Sequence, residues 1–215
     1  MKKEKRDFDK GAASWDDNPL RLKLANDVFN SLSREIELLP TMDVMDFGCG
    51  TGLLTLRLCP LVRSITGFDS SQGMLEVFRK KIVQKNLGGV EVHHIDMDKG
   101  GRLSGLYHLI VSSMTMHHIE DVRSLLGQFY QMLHPSGHLC LADLNIDNGK
   151  FHDDHTGVFH HGFDTTALHG LFKEAGFEGV RDIQAARVAK TGSDGVMREF
   201  SVFLMIGRKN ALPSP

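Results

Sequence analysis

Cysteine is scarce in this sequence, with three residues in 215: Cys49, Cys59 and Cys140. An odd number scattered through core-like and loop-like segments makes no paired framework, so reduced thiols are expected. No apolar run approaches the roughly 20 residues that a membrane-spanning helix needs. The first residues are charged where a secretory leader has an apolar core, and a cytoplasmic protein is the expectation. An excess of one charge is missing too, with Lys+Arg 25 against Asp+Glu 27 and a formal net charge of −2. The one basic cluster, Lys2 to Arg6, lies at a terminus where a solvated tail accounts for it, so nucleic acid is disfavoured as a partner. There is no internal repeat and no low-complexity tract.

What is present is ordinary in amount and informative in order. The hydrophobic fraction of 41% and the charged fraction of 24% are those of globular proteins. The length fits one α/β domain over 1–215. From Val44 short apolar runs alternate with amphipathic stretches, which predicts a parallel sheet covered by helices on both faces. Strands are expected at 43–47, 64–68, 90–95, 107–112, 137–143, 179–188 and 199–206. Helices are expected near 53–61, 72–85, 122–133 and 165–175. Pro135 with Gly137, and Gly176, supply stop signals after two of them. The turn-rich stretch 189–196 is too short for a crossover helix, so the last two strands should pair as an antiparallel hairpin. The expected architecture is a Rossmann-like, doubly wound, seven-stranded sheet, mostly parallel with an antiparallel C-terminal strand. Two segments fall outside the alternation, 1–33 with a helical pattern from about Leu20, and the polar, His-rich 145–164. Both should lie over the mouth of the sheet, the first as a cap and the second as a lid.

The segment from Val44 to Leu54 is an apolar strand that opens into three alternate glycines, Gly48, Gly50 and Gly52, and then a helix. Glycine lets the backbone approach a ligand, and the helix start offers free N–H groups, which implies a nucleotide-like ligand. A pyrophosphate loop spaces its glycines as Gly-x-Gly-x-x-Gly, unlike this one. Asp46 beside the loop would repel a phosphate and suits an α-ammonium group, reached directly or through water. Asp69 follows Gly52 by seventeen residues at the end of the second strand, where a carboxylate can accept both ribose hydroxyls. A helix cap at Ser70 or Ser71 is the structural alternative.

These residues resemble the class I S-adenosylmethionine-dependent methyltransferases, in particular the small-molecule branch that includes ubiquinone and menaquinone biosynthesis enzymes. The resemblance runs from about Asp43 to Ala175. It implies that Asp46, Gly48, Cys49, Gly50, Thr51 and Gly52 hold the methionine part of S-adenosyl-L-methionine and that Asp69 with Ser70 holds the ribose. It places Met74 near the adenine and gives Asp96 and Met97 the contacts to its amino group and ring, with Asp98 as a competitor. Ser112 and the segment that follows it should border cofactor and acceptor, and Trp15 of the cap should cover the cofactor. The Asn/Asp-Pro-Pro-Tyr/Phe motif of nitrogen methylation on nucleobases or glutamine is missing, as is the Pro-Cys pair of cytosine C5 enzymes. The implied reaction is methyl transfer to a small-molecule acceptor, with oxygen or carbon favoured and S-adenosylhomocysteine as product. A noncatalytic protein that binds the cofactor is the alternative, and a nicotinamide oxidoreductase conflicts with the glycine spacing.

Methyl transfer depends mostly on alignment in a site cleared of water, so dedicated catalytic residues can be few. A hydroxyl or acidic-carbon acceptor benefits from a base, and His117 is the first candidate, ahead of His118, His160 and His161. The connection from Phe151 to Phe163 gathers His152, Asp153, Asp154, His155, His160 and His161 without the spacing of a known zinc module, so it is read as a metal-free lid. Cys49 has no activating His or Lys beside it in sequence and is read as a packing residue.

Overall fold

The computed structural model describes residues 6–211; most of the basic cluster at Lys2 to Arg6 and the last four residues lie outside it. Seven strands form one sheet: β1 Asp43–Phe47, β2 Ser64–Asp69, β3 Val90–His94, β4 Tyr107–Ser113, β5 Leu133–Leu144, β6 Glu178–Thr191 and β7 Met197–Arg208. They lie in the order β3-β2-β1-β4-β5-β7-β6. The first five run parallel, and β7 pairs antiparallel with both β5 and β6, so the last two strands are the expected hairpin. The helices are α1 Pro19–Glu35, α2 Thr55–Leu58, α3 Gln72–Gln84, α4 Val122–Gln131 and α5 Thr165–Glu174, with a 3-10 segment at Asp9–Asp17 ahead of α1.

Period-two alternation in β1 divides the core. Met45 and Phe47 join Phe129, Phe172 and Phe203 on the face covered by α4 and α5. Val44 joins Val28, Leu32, Leu109 and Val202 on the face covered by α1 and α2. Helix starts are fixed by side-chain caps: Asn18, Ser71, Asp121 and Asp164 each accept a bond from a backbone N–H of the first turn. Two boundaries differ from expectation. The helix predicted near 53–61 shrinks to α2, because turn bonds occupy the residues on either side of it. β5 begins at Leu133, so Pro135 and Gly137 sit inside a strand; the pairing of β4 with β5 jumps from Tyr107/Leu133 to Leu109/His138, and that irregularity accommodates a proline lacking an N–H.

Along the sheet the chain first moves outward from β1 to β3 and then returns to place β4 on the other side of β1. The crevice beyond the carboxyl ends of β1 and β4 is therefore the switch point at which open α/β sheets bind ligands.

Candidate functional site

A cavity of about 220 Å³ opens at that switch point. Its floor is the turn after β1. Gly48, Gly50 and Gly52 have φ of 74°, 54° and 84°, all in the left-handed region that favours glycine. A Cβ at Gly48 would collide with Thr115 and one at Gly52 with the Phe78 ring, whereas one at Gly50 would meet nothing within 4 Å. Gly48 and Gly52 are thus packing requirements, and Gly50 turns bare backbone toward open space. Two carboxylates flank it. Asp69 accepts the Gly50 N–H and the Ser71 N–H, both at 2.8 Å, and burial still holds its carboxyl above the ordinary range. Asp46 is 2% exposed, takes the Thr55 hydroxyl at 2.5 Å, and is pushed up to about 7 by burial, with Asp69 adding to the shift. Phe68, Ile95, Met97 and Met74 give this half of the cavity an apolar wall.

The 3-10 segment closes over the floor through two aspartates. Asp9 accepts the Gly73 N–H at 2.9 Å and the Ser71 hydroxyl. Asp16 takes the Thr51 hydroxyl at 2.6 Å and pairs with Lys81, which also donates to the Thr51 carbonyl at 2.7 Å. Trp15 and Phe8 line the cavity from above, with the Arg21 guanidinium 3.6 Å from the Trp15 ring centroid.

The opposite end is built by the turn after β4 and by 145–164. Ser113, Met114, Thr115 and His118 line it together with Gly157 and Phe159. Met114 has φ 56°, a strained value for a side chain of its size, fixed by its N–H bond to the Ala142 carbonyl at 2.8 Å. His118 Nδ1 donates to the Gly157 carbonyl at 2.7 Å; burial and the neighbouring His117 push the imidazole down to about 4. Behind it His117 is 1% exposed, with Nδ1 on the fully buried Asp143 at 2.6 Å. Burial alone would raise Asp143, but the His117 imidazole and the backbone N–H groups of His117 and Leu144 pull it below the ordinary carboxylate range. His152, lowered to about 3 by burial and its imidazole neighbours, sits with Nε2 3.0 Å from His117 Nε2.

Most residues singled out from the sequence line the cavity: Asp46, Gly48, Cys49, Gly50, Thr51, Asp69, Ser70, Met74, Met97 and Trp15. Others do not. Gly52 packs beneath the floor on Phe78. Ser112 faces into the sheet, its hydroxyl on the Phe47 carbonyl at 2.9 Å, and Ser113 takes the place at the wall. The 3-10 turn Met97–Lys99 directs Asp96 toward Lys99 and a neighbouring depression, while Ile95 and Met97 stay in the cavity. The side chain of Asp98 lies outside the described residues. His117 is separated from the cavity, and His118 is the imidazole at its wall. The Cys49 thiol is raised well above its ordinary value by burial and nearby carboxylates, and packs against Gly67. Asp16, Lys81 and Asp143 carry no signal in the sequence, because each meets its partner only through the fold, and His152, one of the histidines of the 151–163 connection, is brought to His117 the same way.

The crevice thus has a carboxylate near the carboxyl end of each of two adjacent parallel strands, with an open glycine between them. Comparison with known proteins gives the family. A model of the methyltransferase domain matches residues 20–182, and the chain belongs to that family, whose S-adenosylmethionine-dependent members set its cofactor class. An uncharacterized methyltransferase of Schizosaccharomyces pombe is 31% identical over 161 residues, 68% of this chain and 57% of that one. A malonyl-[acyl-carrier protein] O-methyltransferase of Priestia megaterium is 27% identical over 54% of this chain and 41% of its own length. The chain thus spans about half the length of the curated relatives it matches. The fold is shared with phosphoethanolamine N-methyltransferase 2 of Haemonchus contortus, solved in complex with S-adenosyl-L-methionine, at TM-score 0.70 and 15% identity over 86% of this chain and 52% of that one. Among the described residues no helix is long and apolar enough to cross a membrane.

Proposed function

We propose that this protein transfers a methyl group from S-adenosylmethionine to a small molecule, at an acceptor site bounded by Met114, Thr115, His118, Gly157 and Phe159. The carrying observation is the pair Asp46 and Asp69 around Gly50, one buried and one partly buried carboxylate lining the same cavity. They suit a ligand with an ammonium group and a ribose diol and oppose one with a pyrophosphate. In this reading Asp46 and the Gly48–Gly50 backbone hold the amino-acid end, Asp69 holds the ribose, and Phe68, Met74, Ile95 and Met97 enclose the adenine. The cofactor supplies a methyl group on a cationic sulfur. The chain's own residues align an acceptor, exclude water beneath Phe8 and Trp15, and present His118 to the acceptor. The single-domain organisation, with 1–33 as an N-terminal cap, of which 6–33 are described, and 145–164 as an acceptor lid, belongs to the same proposal.

Calorimetry tests it. S-adenosylhomocysteine should bind at micromolar Kd and NAD should show no heat. Tight NAD binding, or no binding of S-adenosylhomocysteine by folded protein, would sink the reading.

A further inference from the structure

Three imidazoles from two distant parts of the chain meet behind the acceptor end of the cavity. His117 and His118 come from the turn after β4, and His152 comes from the long connection after β5. One nitrogen from each lies within 4.8 Å of the other two. The ring centroids of His117 and His118 are 4.1 Å apart, and those of His117 and His152 are 5.0 Å apart.

The outer nitrogens are held in a way that orients the inner ones. Asp143 takes the Nδ1–H of His117 at 2.6 Å, and the Gly157 carbonyl takes that of His118 at 2.7 Å. With the proton fixed on Nδ1, each ring turns an Nε2 lone pair inward. Carboxylate and carbonyl acceptors on the far nitrogen are the outer-shell arrangement found around metal-bound histidines. His152 is the third: its Nε2 sits 3.0 Å from His117 Nε2, while its Nδ1 accepts from the Arg6 guanidinium at 3.1 Å. That contact puts the proton of His152 on Nε2, where it satisfies His117. A cation at the centre would take its place, with the proton of His152 moving to Nδ1 and Arg6 withdrawing.

We infer that His117, His118 and His152 form a binding site for a divalent transition metal ion, zinc by its ligand chemistry. Three neutral imidazoles with no thiolate suit Zn²⁺ or Co²⁺ and discriminate against Mg²⁺ and Ca²⁺. Zinc–nitrogen bonds of about 2.0–2.1 Å put tetrahedral ligands about 3.3 Å apart, so small side-chain rotations close the set. A three-histidine set leaves a position for an exogenous ligand. His118 is both a member of the cluster and part of the cavity wall, which puts the ion beside the acceptor.

Its role rests on the proposed function, whereas its existence does not. A hydroxyl or thiol acceptor that reaches the ion past His118 would lose its proton to water more readily. Its lone pair then forms the bond to the methyl carbon as the carbon–sulfur bond of the cofactor breaks, and that electron pair stays on sulfur to give the neutral thioether. This favours acceptors that bear an oxygen or sulfur able to ligate a metal over carbon acceptors. It also replaces the metal-free expectation for this region, which weighed only the spacing within 151–163. The other histidines of that stretch are engaged elsewhere: His155 and His161 stack edge-on at 5.0 Å, and His160 Nε2 contacts the Ile119 carbonyl at 2.9 Å.

Tag-free protein stripped with a chelator, reloaded with Zn²⁺ or Co²⁺ and desalted is the sample for the test. Elemental analysis should find about one ion per chain, and the cobalt form should show the intense visible bands of a tetrahedral site. His152→Ala is the decisive variant, since His152 is outside the cavity wall; it should lose the ion, as should His117→Ala and His118→Ala. His155→Ala should keep it, and Arg6→Ala, which removes the competing cation, should bind at least as tightly as wild type. No retained ion, retention by His152→Ala, or loss in His155→Ala overturns the assignment. Calorimetry with S-adenosylhomocysteine, run on the metal-free samples, reports folding and separates the two readings. Protein that binds this ligand but no ion refutes the metal site alone, and protein that binds the ion but not this ligand refutes the cofactor reading alone.

Discussion

The two ends of the cavity are built on opposite plans. At the cofactor end one turn of chain supplies the floor, and the carboxylate that fixes it comes from the next strand: Gly50 and Asp69 are 19 residues apart in sequence. At the acceptor end every decisive contact joins remote segments, His117 to Asp143, His117 to His152 and His118 to Gly157, across 26, 35 and 39 residues. The first plan is robust because local backbone geometry, set by glycines and strand ends, positions the groups. The second depends on bonds between connections far apart in sequence, among them the Phe159 N–H to the His117 carbonyl at 2.9 Å, and loops of that kind are where one scaffold can host different acceptors.

Two substitutions should separate the ends most sharply. Asp143→Ala removes a fully buried acceptor and strands the His117 Nδ1–H and the N–H groups of His117 and Leu144. A loss of about 2–4 kcal/mol in folding stability is expected from those orphaned donors, read by denaturant unfolding, while affinity for S-adenosylhomocysteine changes less than about twofold. Asp69→Ala should do the reverse. It should weaken that affinity by about 1.5–3 kcal/mol, the worth of a charged acceptor of ribose hydroxyls, with Asp69→Asn intermediate because it keeps an acceptor for Gly50 or Ser71. If Asp143→Ala abolished cofactor binding in folded protein, the two ends would not be independent.

This difference explains what could be read from the sequence. The alternation of apolar runs with amphipathic stretches is enough to indicate a parallel sheet with helical crossovers and a terminal hairpin, since each parallel crossover needs a helix, whereas the order β3-β2-β1-β4-β5-β7-β6 is visible only in the fold. The stretch from Asp46 to Gly52 spoke for itself, because glycine at φ near 74° and 54° is a local requirement. Ser112, expected at the wall, bonds the Phe47 carbonyl and Ser113 stands there, because one position along a strand turns a side chain to the other face. His118 and not the expected His117 meets the cavity, and two adjacent histidines after a strand carry no signal of which one does. Asp143 carries no signal in the sequence, and His152 is legible only as one histidine of a His-rich connection, since nothing near either names its partner.

The cofactor end carries its own pH test. Burial pushes the Asp46 carboxyl up to about 7, and the groups facing it are the Thr55 hydroxyl and the Asp69 carboxylate. A group raised in the folded state binds more protons than in the unfolded chain, so its contribution to stability is full in acid and is lost as pH rises toward 7. Binding an ammonium group needs the other form, the carboxylate. Affinity for S-adenosylhomocysteine should therefore drop about tenfold from pH 8 to pH 6, as one proton competes. Asp46→Asn should abolish the slope, weaken binding at pH 8, and stabilise the ligand-free protein there by about 1–3 kcal/mol as a buried charge is removed. A flat profile in the wild type would take Asp46 out of the ligand site and leave it as a partner of Thr55.

The smallest effect tests whether the N-terminal segment is part of the cofactor end or a separate cover. Asp16 joins Thr51 of the glycine turn to Lys81 of α3, and Lys81 reaches back to the Thr51 carbonyl, so three segments share one polar knot at the rim. The knot is partly exposed, so its ion pair adds little by itself, about 0.2–1 kcal/mol. Its consequence for binding runs through Trp15, one residue before Asp16, which the knot holds over the cavity. Asp16→Ala should raise the Kd for S-adenosylhomocysteine by about 1.4- to 5-fold, the equivalent of that energy, mostly through faster dissociation, because a loosened cover lets a bound ligand escape. Stopped-flow displacement, followed by the fluorescence of Trp15, the only tryptophan in the chain, reads the rate directly. An unchanged dissociation rate would show that the glycine turn and its two carboxylates hold the ligand without the segment above them, and would confine the role of residues 9–17 to packing against α3.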